Sequence, residues 1–197
     1  MAAHNQSVPS GLFYSDNVLS ANLLEDVWIW LNSISEQFSP ITSSANSRKV
    51  YHLGYVYDYN RGATSQQADP FPDIIRKLLL VVDESLRALG TDAYSMNQCI
   101  INKYLPGQGI SAHVDDKKFG PVIVCFTITQ GPGRTLVFEH GQTKFELYTY
   151  PNSTYIMSGE SRYTWKHSMP SRQTDVFQNN KWKRDVVYSI TFRSLKV

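Results

Sequence analysis

No apolar run in this sequence approaches the roughly 20 residues that cross a bilayer as a helix, so no membrane partner is expected. The opening, MAAHNQSVPSG, lacks the basic flank and apolar stretch of a secretory signal. Cysteine is scarce: Cys99 and Cys125 are the 2 in 197 residues. Both lie in apolar, strand-like runs and read as buried free thiols rather than a disulfide or a metal pair. An excess of charge of one sign is also missing. A net charge of +2 permits a nucleic-acid partner without arguing for one, because dedicated binders carry a stronger basic excess. These absences argue against a disulfide-stapled secreted scaffold and against a helical membrane protein. They favour an intracellular chain, cytoplasmic or nuclear.

What is present suffices for one core: 42% of residues are hydrophobic and 13% aromatic. Residues 1–10 are small and polar and are expected to form a flexible tail, leaving 11–197 as a single domain. In 20–38 Leu24, Val27, Trp28, Leu31 and Ile34 recur at helical spacing behind Ser20, a suitable cap. A second helix is expected from about Phe71 to Leu89, with Pro72 at its start and Gly90 at its end. Between the two helices lies a segment rich in Tyr, Ser, Asn and Arg, with RKVYHLGYVYDY strand-like at its centre. From Gln98 the pattern changes to short strands, QCIINKY, VIVCFTIT, RTLVF, TKFEL, STYIM and VVYSITFR, separated by turn chemistry. The polar stretch 171–185 reads as a loop. Two helices followed by many short strands predict an α+β protein with a β-sandwich or barrel-like core.

The sharpest local signal is His113-Val114-Asp115. Side chains alternate along an extended segment, so an imidazole and a carboxylate two residues apart can face one metal ion. A second histidine would complete the two-His, one-carboxylate face that leaves open positions on non-haem iron(II). An isolated H-x-D is a weak motif, and a surface histidine beside the acidic pair Asp115 and Asp116 is its bland alternative. Context strengthens it. The chain has only 5 histidines, and the motif follows a strand and a Pro-Gly turn. His167, at the end of another strand-like stretch, is the candidate second histidine; His52 and His140 are its rivals.

NQCIINKYLPGQGISAHVD (97–115) resembles the AlkB family's strand with Asn-x-Tyr, Pro-Gly turn and His-x-Asp. IMSGESRYTWKHSMP (156–170) resembles its strand ending in the distal histidine, and YSITFR (188–193) its closing arginine strand. The resemblance implies a double-stranded β-helix (jelly-roll) core over 97–197, with the N-terminal helices packed on one sheet. Residues 11–96 would then hold the helices and a nucleotide-recognition segment. It further implies an iron(II)- and 2-oxoglutarate-dependent dioxygenase that consumes O2, with His113, Asp115 and His167 as ligands; the chain is expected to be a monomer. Asn102, Tyr104, Ser189, Thr191 and Arg193 would face the co-substrate. Arg193 suits a carboxylate through its planar fork of donors. One position departs from the family: Val187 stands where its closing strand carries a second arginine. Arg184 is the nearest replacement on the strand, and an impaired, non-catalytic nucleic-acid-binding module is the alternative that Val187 raises.

GESRYTWKH and RKVYHLGYVYDY are most similar to the branch that hydroxylates modified wobble uridine in tRNA. RNA is therefore expected as substrate ahead of alkylated DNA, with hydroxylation or demethylation of a modified base. An oxygenase acting on a protein side chain is a further alternative. A base must be unpaired or flipped to enter such a pocket. Arg48, Tyr51, Tyr57 and Tyr59 are the expected stacking and phosphate-binding groups, although alternating tyrosines also describe a half-buried strand. Lys117 replaces an acidic residue of the DNA-repair members. Arg162 and Trp165, just before the distal histidine, are further candidates for the pocket wall.

Overall fold

A computed structural model describes residues 7–44, 46–91 and 94–196, with the side chain of Ala63 left aside. In chain order the elements are β1 (Leu12–Asp16), α1 (Ala21–Ser33), β2 (Ser39–Pro40), β3 (Lys49–Leu53), β4 (Tyr55–Asp58), β5 (Gly62–Gln67) and α2 (Asp73–Ala88). Then follow β6 (Gln98–Tyr104), β7 (Ile110–His113), β8 (Phe119–Ile128), β9 (Arg134–His140), β10 (Thr143–Thr149) and β11 (Ser153–Met157). The chain closes with α3 (Gly159–Tyr163), β12 (Lys166–Met169), β13 (Thr174–Phe177), β14 (Asn180–Lys183) and β15 (Val187–Leu195).

The two helices start and stop for local reasons. The Ser20 side chain accepts from the Leu23 N–H at the head of α1. Gly90, in the left-handed region at φ 66°, ends α2, and the following Thr91 N–H bonds back to Leu86. Their apolar stripes, Val27 and Leu31 on α1 and Ile75, Leu78, Val82 and Leu86 on α2, are buried on one face of a seven-stranded sheet. That sheet runs β1-β11-β8-β15-β6-β3-β2, and a four-stranded sheet, β10-β9-β12-β7, faces it. The pair is a jelly roll with helices on one outer face, an α+β arrangement as expected.

Strand alternation then assigns the layers. On β8, Val122, Val124, Phe126 and Ile128 join the helix layer, whereas Ile123 and Cys125 turn between the sheets. On β15, Tyr188, Ile190 and Phe192 face the helices, which leaves Val187, Ser189, Thr191 and Arg193 for the interior. On β6, Cys99 and Ile101 face the helices while Ile100, Asn102 and Tyr104 face inward. Both faces of these strands are covered, which is why they read as continuous apolar runs. Cys99 and Cys125 are free and buried, and burial pushes both thiols up, so they stay protonated.

The structure differs from the sequence expectations in four places. Residues 171–185 are not a loop: β13 and β14 pair as a hairpin in full register from Thr174↔Lys183 to Phe177↔Asn180. The stretch 156–170 is not one strand, because α3 interrupts it between β11 and β12. The tyrosine-rich segment breaks at Gly54, where φ is +77° and a Cβ would meet the Asn97 carbonyl at 2.0 Å, so β3 and β4 join different sheets. Residues 1–6 of the expected tail lie outside the described residues. Beyond them Pro9 is buried and the Ser10 carbonyl accepts from Ser161, so the chain is held before residue 11.

Candidate metal centre and its pocket

β12 and β7 are antiparallel neighbours, and their register places His167 directly opposite His113. Sequence separation is thereby erased: the two rings stand 4.3 Å apart between centroids. Asp115, just past the end of β7, brings a carboxylate oxygen to 3.8 Å from His167 Nε2. Ligand atoms of His113, Asp115 and His167 all lie within 4.8 Å of one another. No other group of three or more potential ligands of this kind occurs among the described residues. The rivals are elsewhere: His140 packs on Trp165, and His52 accepts the Tyr57 N–H through Nδ1.

The surroundings prepare these groups for a cation. His113 Nδ1 lies 2.8 Å from the Ser111 carbonyl, which can only accept, so Nδ1–H donates there and Nε2 is left to face the ligand position. Burial, opposed by the Asp115 carboxylate, lowers His167 to about 4, so its ring is uncharged and its lone pair is available at neutral pH. For Asp115, burial pushes upward, but Arg193, His167, His113 and Arg162 outweigh it and hold the carboxyl below its ordinary value. Arg193 Nη1 donates to Asp115 at 3.0 Å, and its Nε donates to Gln98 at 2.9 Å. Arg162, buried, donates to the carbonyls of Asp115, Asp116, Phe119 and Gly120 and so fixes the turn that carries the carboxylate. Two imidazoles and one carboxylate, with His113 and Asp115 held by hydrogen bonds and His167 by its strand register and ring packing, form a donor set that fits iron(II).

The triad opens into a pocket of about 330 Å³ between the sheets. Asn102, Tyr104, Ser189, Thr191 and Arg193 line it, as do Arg48, Tyr57 and Tyr59 at its mouth. Asn102 is already engaged, accepting from Arg48 Nε at 2.9 Å and donating to Ser189 at 3.4 Å. The structure does not bring the remaining candidates to this space. Arg184 is wholly buried, but its fork grips Asp175 at 2.6 and 3.0 Å and its Nη1 serves the Pro170 and Gln108 carbonyls, so it faces the β13–β14 hairpin. Tyr51 donates to Asp69 and packs on Phe38, and Trp165 packs in the inter-sheet core. Lys117 is exposed on the turn after the triad, and Arg162 is the brace just described rather than a pocket wall. Sequence reasoning missed Gln98, visible only as a polar residue opening an apolar strand, and Arg134, the first residue of β9, in a run that looked like ordinary core.

Residues 21–193 match the family model described as the 2OG-Fe(II) oxygenase superfamily. The chain belongs to this superfamily. It is 33% identical over 176 residues to uncharacterized protein L905 of Acanthamoeba polyphaga mimivirus, covering 82% of this chain and 83% of that protein. It is 28% identical over 191 residues to the mouse protein named tRNA (carboxymethyluridine(34)-5-O)-methyltransferase ALKBH8. That match covers 93% of this chain but only 28% of the mouse protein. The solved structure of OsALKBH1 superposes with a TM-score of 0.67 at 15% identity, covering 96% of this chain and all of that one, a likeness of fold. The chain is thus an AlkB-like dioxygenase that uses iron(II), 2-oxoglutarate and O2. Bound here, metal and keto acid together supply an oxidant able to hydroxylate a C–H bond. The protein's own share is to present the imidazole nitrogens, hold the carboxylate and shape the pocket. No helix among the described residues is long and apolar enough to cross a membrane.

Proposed function

We propose that this oxygenase hydroxylates or demethylates a modified nucleobase in RNA, with a tRNA uridine as the leading substrate. The observation that carries the reading is the pocket mouth. Arg48, Tyr57 and Tyr59 line the same cavity as the metal triad, on the side built by the segment before α2. Tyr59 is 40% exposed, and the Arg48 guanidinium lies 5.7 Å from its ring centre. An aromatic face beside an arginine suits a base that has left its stack, with the arginine near the phosphate. The tyrosines divide their work: Tyr55 and Tyr57 pack on the Phe119–Leu195 cluster, whereas Tyr59, in edge contact with Tyr57 and His52, is the most exposed of the three. The name of the mouse relative, which concerns a tRNA uridine, favours RNA. That relative is far longer than this chain, so its whole activity does not transfer. On this reading the chain acts as a monomer inside the cell.

The test is a panel of modified RNA and DNA oligonucleotides incubated with iron(II) and 2-oxoglutarate, with nucleoside masses and succinate both measured. Conversion of modified uridine, or of methylated adenine or cytosine, in RNA is expected. Turnover confined to DNA would reverse the order of substrates, and turnover of neither with succinate still formed would point to a protein side chain.

A further inference from the structure

A dicarboxylate co-substrate brings two anionic ends into the pocket. One end has the metal. The other needs a cation, because an unpaired carboxylate in a water-poor space is costly. Val187, apolar and fully buried, offers none. Of the arginines that line the pocket, Arg193 holds Asp115 and Gln98, and Arg48 commits its Nε to Asn102 at the Tyr59 side; Arg184, outside the lining, holds Asp175.

Arg134 is different. Its side chain is completely buried, yet no carboxylate forms an ion pair with it among the described residues. Nη2 donates to the Asp185 carbonyl, while Nε and Nη1 have no hydrogen-bond partner among the described residues. Burial, then the neighbouring Arg184, pushes the guanidinium down to about 10, which still leaves it charged at neutral pH. A buried cation with two unmet donors is a site built for an anion.

Its place in the fold says which anion. Arg134 shares a strand face with Leu136 and Phe138, which turn between the sheets, and Leu136 lines the pocket. Its cross-strand neighbour Thr149 lines the pocket as well. Asp185, which receives its Nη2, is two residues from Val187, another pocket residue. Arg134 therefore stands at the Leu136–Thr149–Val187 end of the cavity.

We infer that Arg134 is the binding residue for the non-chelating carboxylate of 2-oxoglutarate, supplying from β9 the charge that Val187 withholds from β15. This rests on the co-substrate and is independent of which macromolecule is oxidised.

The test is calorimetry on the full chain with manganese(II) in place of iron, comparing 2-oxoglutarate with 2-oxobutanoate, which keeps the keto-acid head and lacks the second carboxylate. Arg134→Met is expected to weaken 2-oxoglutarate binding by at least about 30-fold, with 2-oxobutanoate and metal affinity within about threefold. Arg134→Lys and the double variant Arg134→Met/Val187→Arg are expected to recover part of the preference. Unchanged 2-oxoglutarate affinity in Arg134→Met, or equal loss of both keto acids, would overturn the assignment. So would collapse of the preference in Arg48→Met in its place. If Arg134→Met does not fold, absence of any preference in both charge-retaining variants overturns it. A wild-type protein that binds manganese but neither keto acid would remove the co-substrate itself and is recognised separately.

Discussion

The two ends of the pocket are built on opposite rules. At the metal end the carboxylate, His113 and the two arginines beside them are matched within the protein. Asp115 meets Arg193, Arg193 meets Gln98, His113 meets Ser111, and Arg162 meets four carbonyls. At the other end Arg134 keeps two donors without a hydrogen-bond partner among the described residues. The contrast separates geometry made before a ligand arrives from geometry that a ligand completes. Metal ligands must be fixed within a few tenths of an ångström, so their surroundings are saturated. A carboxylate supplied with the co-substrate needs its counter-charge left open.

The sharpest way to break this comparison is to remove the two buried arginines in turn. Arg184→Met would leave Asp175 buried without its bidentate partner, and thermal or urea unfolding should show a loss of about 3–5 kcal/mol. Arg134→Met removes a cation that lacks a carboxylate, so without co-substrate the same measurement should change by no more than about 1 kcal/mol. Equal losses in both would show that Arg134 is held by the protein after all.

Smaller effects sharpen the picture. Tyr59→Ala should raise the KM for the preferred oligonucleotide by about tenfold or more, as expected for one lost stacking face, while 2-oxoglutarate affinity is unchanged. Gln98→Leu frees one side of Arg193, which then positions Asp115 less firmly; metal titration should show a loss of about tenfold, without a matching drop in melting temperature. The smallest is a pH effect. Burial, then Arg193, lowers His52 to about 4 from its ordinary 6.5. The unfolded chain therefore takes up a proton that the folded chain refuses between these values. Stability from this group is complete above pH 6.5 and is lost as pH falls toward 4. His52→Gln should flatten that part of the unfolding profile of the metal-free protein.

Much of this site was legible in the sequence because its signals are periodic. H-x-D declares a shared direction on an extended segment; Asn102, Tyr104, Ser189, Thr191 and Arg193 are named through the family resemblance, and strand alternation in β6 and β15 puts them on one face. The choice of His167 over His52 and His140 was open on residues alone, since it depends on which strand lies beside β7. The hairpin at 174–183 was missed because no apolar alternation marks it. It is anchored by a buried carboxylate held between Arg172 and Arg184, and an ion pair leaves no periodic trace. Arg162 was misread for a related reason: its partners are carbonyls, which every residue has. Val187 was noticed as a gap, but the cation that fills it sits on a different sheet, where sequence distance gives no hint.

The most direct measurement follows the visible charge-transfer absorption that appears when a 2-oxo acid chelates protein-bound iron(II) without oxygen. The wild-type chain should develop this band on titration with 2-oxoglutarate, and the His113→Ala and His167→Ala variants should not. A band of equal strength in either variant would mean that the metal sits somewhere other than between β7 and β12.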